Sequence, residues 1–237
     1  MTRIIIIGRR RGGSMSKKPF ILSCMVVLLI LTFGGCGKQN KQYGYIPMFD
    51  KLTWGMSLQE VVNTLQLTTQ NAKIIEPKEN SAYTIVRLSD AYEVYGMKGI
   101  VNLLITDGEL NTQDEYSYPV NALSAVVLQY DDFDADTLKV NMEKELGKPK
   151  SDKTENSGEV ITWKSKDRIS SLSKSEQKKL YAYCEELEAR GNKNLSPKEK
   201  SAINKITLTI TKDGKKAVIT YYGDWAVYIN YSRNLQK

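Results

Sequence analysis

Histidine, the commonest general base and metal ligand, is absent from this 237-residue chain, which carries only three cysteines. That removes Ser-His-Asp and Cys-His catalysis and every histidine-based zinc site. Carboxylates are the remaining groups able to move protons or hold a cation. The densest run is Asp131, Asp132, Asp134 and Asp136. Asp132, Asp134, Asp136 and Glu143 fall at positions 1, 3, 5 and 12 of an EF-hand-type loop. The sixth position, where the sharp turn needs glycine, is Thr137, and Leu138–Leu146 has helical spacing. Acids at a helix N-terminus, favoured by the macrodipole, are the reading adopted, with calcium as its alternative. Glu185, Glu186 and Glu188 sit beside Lys178 and Lys179 in a charged helical stretch. A glycosidase needs two carboxyls facing each other across a cleft, and nothing here pairs these. Cys184 falls on an apolar helical stripe, which suits a buried core thiol better than a nucleophile.

The other chemistry-bearing feature is aromatic. Tyrosine outnumbers phenylalanine 14 to four. Tyr116 and Tyr118 lie in a polar segment, and Tyr221, Tyr222, Trp225, Tyr228 and Tyr231 crowd the C-terminal end. Rings with a polar tip suit sugar faces and protein interfaces, although strands also favour tyrosine for packing. Tyr221, Tyr222, Trp225 and Tyr228 are the candidate ligand-binding residues. No catalytic residue and no cofactor is expected.

The elements that position these residues follow from periodicity. Ser57-Leu58-Gln59-Glu60 is a capping box, with Met56 and Val61 at the staple positions, opening a helix to about Gln66. Trp54-Gly55 before it reads as a turn that plants an indole in the core. Tyr83–Leu88, Tyr92–Tyr95 and Ile100–Thr106 read as strands, with a turn over Gly96–Gly99 and a close at Asp107-Gly108. Asn111–Pro119 reads as an exposed loop. Ala122–Tyr130 is the most continuously apolar strand and is expected at the sheet centre. A second helix is expected from Asp136 to Leu146, stopped by Gly147 and Pro149. Strands are expected at Glu159–Trp163, Lys205–Thr211, Ala217–Tyr222 and Trp225–Tyr231, with a tight turn at Asp213-Gly214. Ile206, Leu208 and Ile210 alternate with threonines, as one buried and one wet face require. Between them, Ser173–Glu176 and Ser196–Glu199 look like two helix starts. Together they predict a helical hairpin inserted at 170–203, with Leu180, Cys184 and Leu187 as its apolar stripe. The fold class is α+β: an antiparallel sheet of six to eight strands, two packing helices and that insertion. A helix followed by strands occurs twice, a faint internal echo. In order and texture, residues 45–231 are similar to helix-plus-sheet domains of bacterial surface lipoproteins. They loosely resemble the β-lactamase-inhibitor-protein-like fold.

The N-terminal segment supplies an address. Lys17-Lys18-Pro19 precedes the 14-residue apolar run Phe20–Phe33, then Gly34-Gly35-Cys36-Gly37. At ~1.5 Å per residue the run spans about 21 Å, short of the ~30 Å hydrocarbon core, so it reads as a secretory signal. Phe33-Gly34-Gly35-Cys36 resembles a bacterial lipoprotein box, with Phe33 where the family usually has leucine. The resemblance implies thioether linkage of Cys36 to diacylglycerol, further acylation such as palmitoylation, and cleavage that makes Cys36 the first mature residue. Ile21-Leu22-Ser23-Cys24 also fits the box, but cutting there would leave four residues of hydrophobic core. Met15, directly before Ser16-Lys17-Lys18, is the expected start of synthesis, with 1–14 an upstream misassignment, 15–35 the signal, 36–44 a lipidated tether, 45–231 one domain and 232–237 a tail.

Cleavage changes the charge. Residues 1–35 hold six basic side chains and no acidic one, so of 34 basic residues 28 remain, against 27 acidic. Six of the net +7 charges belong to the leader, leaving +1, and no nucleic-acid partner is expected. Lysine far outnumbers arginine beyond the leader, a bias suited to an AT-rich genome such as those of many Gram-positive bacteria. With Cys36 acylated, Cys184 is the only thiol left and no internal disulfide can form. The expectation is a membrane-anchored, extracytoplasmic binding or interaction module whose partner is an envelope protein or glycan. The alternatives are a carboxylate-dependent envelope glycan hydrolase and an inhibitor or accessory subunit.

Overall fold

A computed structural model describes residues 46–234 apart from 47, 78–81, 107–118, 120, 157 and 190–194. The leader, Cys36 and the tether lie outside the described residues. So do most of the Asn111–Pro119 loop, with Tyr116 and Tyr118, and the Asp107-Gly108 close.

The described residues form one eight-stranded antiparallel sheet with four α-helices, an α+β fold. Helix α1 (Leu58–Leu65) leads into β1 (Ala72–Ile75), β2 (Tyr83–Val94), β3 (Met97–Thr106) and β4 (Leu123–Tyr130). Helix α2 (Ala135–Leu146) leads into β5 (Ser151–Glu155) and β6 (Gly158–Lys164). A 3-10 turn (Ile169–Ser171) and helix α3 (Lys174–Ala189) come next, then β7 (Lys205–Thr211), β8 (Ala217–Tyr222) and α4 (Asp224–Asn234). The strand order is β1-β2-β3-β4-β8-β7-β6-β5. Each half is thus a helix followed by a four-stranded meander, and the last strands of the two meanders pair at the centre. That arrangement gives the helix-then-strands echo in the sequence a spatial form. It also consumes the edges that β4 and β8 would otherwise leave open.

Local chemistry explains the elements. Ser57 caps α1: its Oγ accepts from Glu60 N at 3.2 Å, and Glu60 Oε2 accepts from Ser57 N at 2.7 Å. Gln66 then closes the helix in the left-handed region at φ 52°. Asp134 Oδ1 accepts from Thr137 N at 2.7 Å and caps α2. The Trp163 indole donates to Gly147 O at 2.8 Å, tying β6 to the end of α2. Trp54 is fully buried, as the turn before α1 predicted.

Several expectations are corrected. Tyr83–Leu88 and Tyr92–Tyr95 are one strand, β2, with a register shift between Arg87 and Ala91. The hairpin turn is Tyr95-Gly96, not Gly96–Gly99; both residues have positive φ, 54° and 77°, as a two-residue primed turn requires. Strands β1 and β5 had too little apolar alternation to be read: β5 is Ser-Asp-Lys-Thr-Glu, exposed along almost its whole length. The inserted hairpin has only one described α-helix. Ser173 and Glu176 cap α3 as predicted. Ser196–Glu199 forms no helix, because its neighbourhood spends its backbone on the 3-10 segment instead. Ser170 N donates to Glu199 O (2.9 Å), Ile169 N to Ser201 O (3.1 Å), and Arg168 bridges Ala202.

The largest correction is at the C-terminus. Trp225–Tyr231 is not a strand but the body of α4, which runs to Asn234 and so into the expected tail. Trp225 through Asn230 are all buried. A run buried on every side has no amphipathic period to read, and its aromatic and β-branched residues favour strand. Tertiary contacts decide otherwise: Ala226 N donates to Ile203 O (3.0 Å) and Gly223 O (2.7 Å).

The core lies on one face of the sheet. Val86, Val101, Leu103, Val126, Leu128, Ile219, Leu208 and Ile161 supply the strand side, and all four helices contribute to the same cluster. They do so through Val61, Leu138, Met142, Leu180, Tyr183, Cys184, Leu187 and Trp225–Ile229.

Candidate functional site: the uncovered sheet face

Because strand side chains alternate, the residues between these core positions line the opposite face of the sheet. Strand register places them in rows. One row runs Ile85, Leu104, Ala125, Tyr222, Lys205, Lys164. The next is Arg87, Asn102, Val127, Thr220, Thr207, Thr162, Ser151. A third is Ile100, Gln129, Val218, Thr209, Val160, Lys153. None of the apolar members joins the core cluster, and even Ala125, only 5% exposed, stands outside it. Ile85, Ile100, Leu104, Val127, Val160 and Val218 are half-buried by one another and by the strands, with no described helix on them. Alternate threonines on β6, β7 and β8 give one end a hydroxyl surface. At the corner of the first row, Lys205 Nζ lies 4.6 Å from the centre of the Tyr222 ring, a cation–π contact.

The four predicted aromatic residues do not form a site together. Tyr221 and Tyr228 are fully buried and Trp225 is 8% exposed. Tyr221 donates its hydroxyl to the Tyr95 hydroxyl at 2.9 Å, and burial pushes its ionisation well above the usual tyrosine range, helped by neighbouring Tyr95. Trp225 and Tyr228 meet at a tilt within the core at 5.4 Å, and Tyr183 meets Tyr228 at 6.5 Å and stacks on Tyr231 at 5.7 Å. These rings offer no face to a ligand. Only Tyr222 lies on the uncovered sheet surface, because it is out of phase with Tyr221 on β8.

The acidic run behaves as helix-capping chemistry. Asp134 caps α2, and accepting from Thr137 holds its carboxyl below the ordinary aspartate range. Asp132, Asp136 and Glu143 are exposed. Among the described residues no three histidine, cysteine or carboxylate side chains are grouped to hold a metal ion. Glu185, Glu186 and Glu188 share one exposed helix side, and Glu188 Oε1 accepts from Leu195 N at 3.1 Å. Cys184 is buried, and burial, with Glu188 and Glu185 nearby, pushes its thiol up to about 12. A cleft of about 550 Å³ lies between α1 and β1, lined by Val62, Leu67, Ala72 and Ile74 with Lys73 and two threonines. It groups no proton-transfer pair.

The residues that sequence reasoning passed over are those of the wet sheet face. Their signal was the alternation of Ile206, Leu208 and Ile210 with threonines. What it lacked was the strand order that sets Thr207 beside Thr220 and Thr162. No family model matches the sequence, and comparison with curated proteins and with solved structures likewise finds no significant match.

Proposed function

We propose that this chain is a lipid-anchored, extracytoplasmic binding module, tethered at Cys36, that engages a partner through the uncovered face of its sheet. The observation that carries the reading is that face itself. It runs across all eight strands, mixes half-buried aliphatics with hydroxyl, amide and cationic groups, and has no described helix over it. Isolated exposed apolar residues need no explanation, whereas an ordered array of them between polar groups has the make-up of an interaction surface. A rigid sheet also presents its groups with little entropy left to lose on binding. The Lys17–Gly37 pattern supports the address, since a diacylated cysteine supplies two chains, enough for stable attachment. Catalysis has no part in this reading.

Two measurements test it on the full chain in a bacterial host. Metabolic labelling with a clickable fatty acid is expected to mark the wild type and not Cys36→Ser. A photo-crosslinking residue at Thr220, on the uncovered face, is expected to give a discrete adduct. The same residue at Lys179, on α3, is expected to give none. Label that persists in Cys36→Ser overturns the anchor, and equal crosslinking from both positions overturns the face.

A further inference from the structure

We propose that the partner engaged by this face is a protein with an acidic surface, read at the corner formed by Lys164, Lys205 and Tyr222. The inference rests on the binding reading above and gives it a partner chemistry. Charge is unevenly placed. Beyond residue 35 the chain is nearly neutral, with 28 basic and 27 acidic residues. By register, the uncovered face carries Lys73, Arg87, Lys98, Lys153, Lys164 and Lys205 against Glu93 and Glu155. None of the six cations forms an ion pair among the described residues. Both glutamates sit near the ends of their strands, away from the centre.

Lys164 and Lys205 are direct cross-strand partners, an arrangement of like charges that destabilises a sheet. The chain places no described carboxylate between them. Instead Lys205 lies over the Tyr222 ring, which leaves its charge unneutralised and holds it on the face. Two neighbouring cations, one of them held over an aromatic ring, adjoin Leu104, Ala125 and Val127 and match a protein patch with an apolar centre and a carboxylate rim. A nucleic acid would call for a continuous basic track that follows its phosphate backbone. Here the middle row between the basic ends is Asn102, Val127, Thr220, Thr207 and Thr162.

The test uses the full chain in detergent and fluorescent poly-L-glutamate as the probe, with anionic phosphatidylglycerol vesicles as the competing surface. The double variant K164E/K205E is compared with K212E/K215E, which reverses two exposed lysines in the β7–β8 turn. K164Q/K205Q guards against a folding defect, and thermal unfolding verifies all three. Poly-glutamate is expected to bind the wild type, about tenfold more weakly after either change at Lys164 and Lys205, and nearly normally to K212E/K215E. No binding by the wild type, or equal losses in the two reversal variants, overturns the proposal. Vesicle binding with the same dependence on Lys164 and Lys205 also overturns it, in favour of a lipid surface. Any of these results with the Thr220 crosslink intact removes the acidic partner but leaves the binding module standing. Loss of that crosslink removes both.

Discussion

Cys184 and Asp134 show how one side chain's surroundings settle its role. The Cys184 thiol sits in the α3 stripe among Leu180, Tyr183 and Leu187, where burial disfavours the thiolate and two glutamates add to the effect. With Cys24 and Cys36 replaced by serine, its alkylation at pH 8 is expected to be at least about 100-fold slower in the native protein than in guanidinium. Equal rates would place the thiol at the surface. Asp134 behaves in the opposite sense. Its native carboxyl titrates below the unfolded value because Thr137 donates to it. Its contribution is therefore present above the unfolded aspartate range and lost as pH falls through the lower native value. Asp134→Ala is expected to lower the unfolding temperature at pH 7 and to match the wild type at the acid end. An equal difference at both pH values would mean the cap is not electrostatic. Both roles were legible in the sequence, because a helical stripe and an N-cap are local patterns needing only a few neighbouring residues.

Helices α1 and α2 carried their start and stop signals in the sequence, and both formed within a residue or two of the expected limits. Helix α4 shows where local reading ends. Its aromatic and β-branched residues carry strand propensity, and burial on all sides erases the 3.6-residue period. The helix exists because Tyr228 and Tyr231 pack on Tyr183 of α3 while Val227 and Tyr231 lie against Gly55 of the turn before α1. Removing the Tyr228 side chain is expected to cost about 3–5 kcal/mol in chemical denaturation, as for other large buried aromatics. A change under about 1 kcal/mol would indicate a surface position, as the strand expectation allowed. The start of β6 is equally demanding. Gly158 has φ of +137°, and a Cβ there would lie 1.9 Å from Ile210 O. Gly158→Ala is expected to destabilise by more than Ser57→Ala, whose lost cap is worth about 1 kcal/mol. The reverse order in denaturation midpoints would contradict the backbone geometry at the β6–β7 pair.

At the scale of the whole molecule, two helix-and-meander halves meet at β4 and β8 and share one core, leaving the other sheet face without a described helix over it. The class of fold, the central place of β4 and the one-sided burial of β7 were legible from composition and alternation. Strand order was not, since register across β4–β8 joins residues almost a hundred positions apart in the chain. The candidate site depended on that order. Tyr221 and Tyr222 are adjacent in sequence and both aromatic, yet one is core and the other surface, and only the phase of β8 against its neighbours assigns them. The same phase puts Val127 at the centre of the uncovered face, beside Asn102 and Thr220.

The central claim, that this face is what the protein uses, is tested most directly by Val127→Arg in the full chain. The measurement is the yield of the Thr220 crosslinked adduct, with thermal unfolding recorded on the same variant. The adduct is expected to be lost while the unfolding temperature stays within a few degrees of wild type, because Val127 lies outside the core cluster. An undiminished adduct in a folded Val127→Arg protein would contradict it.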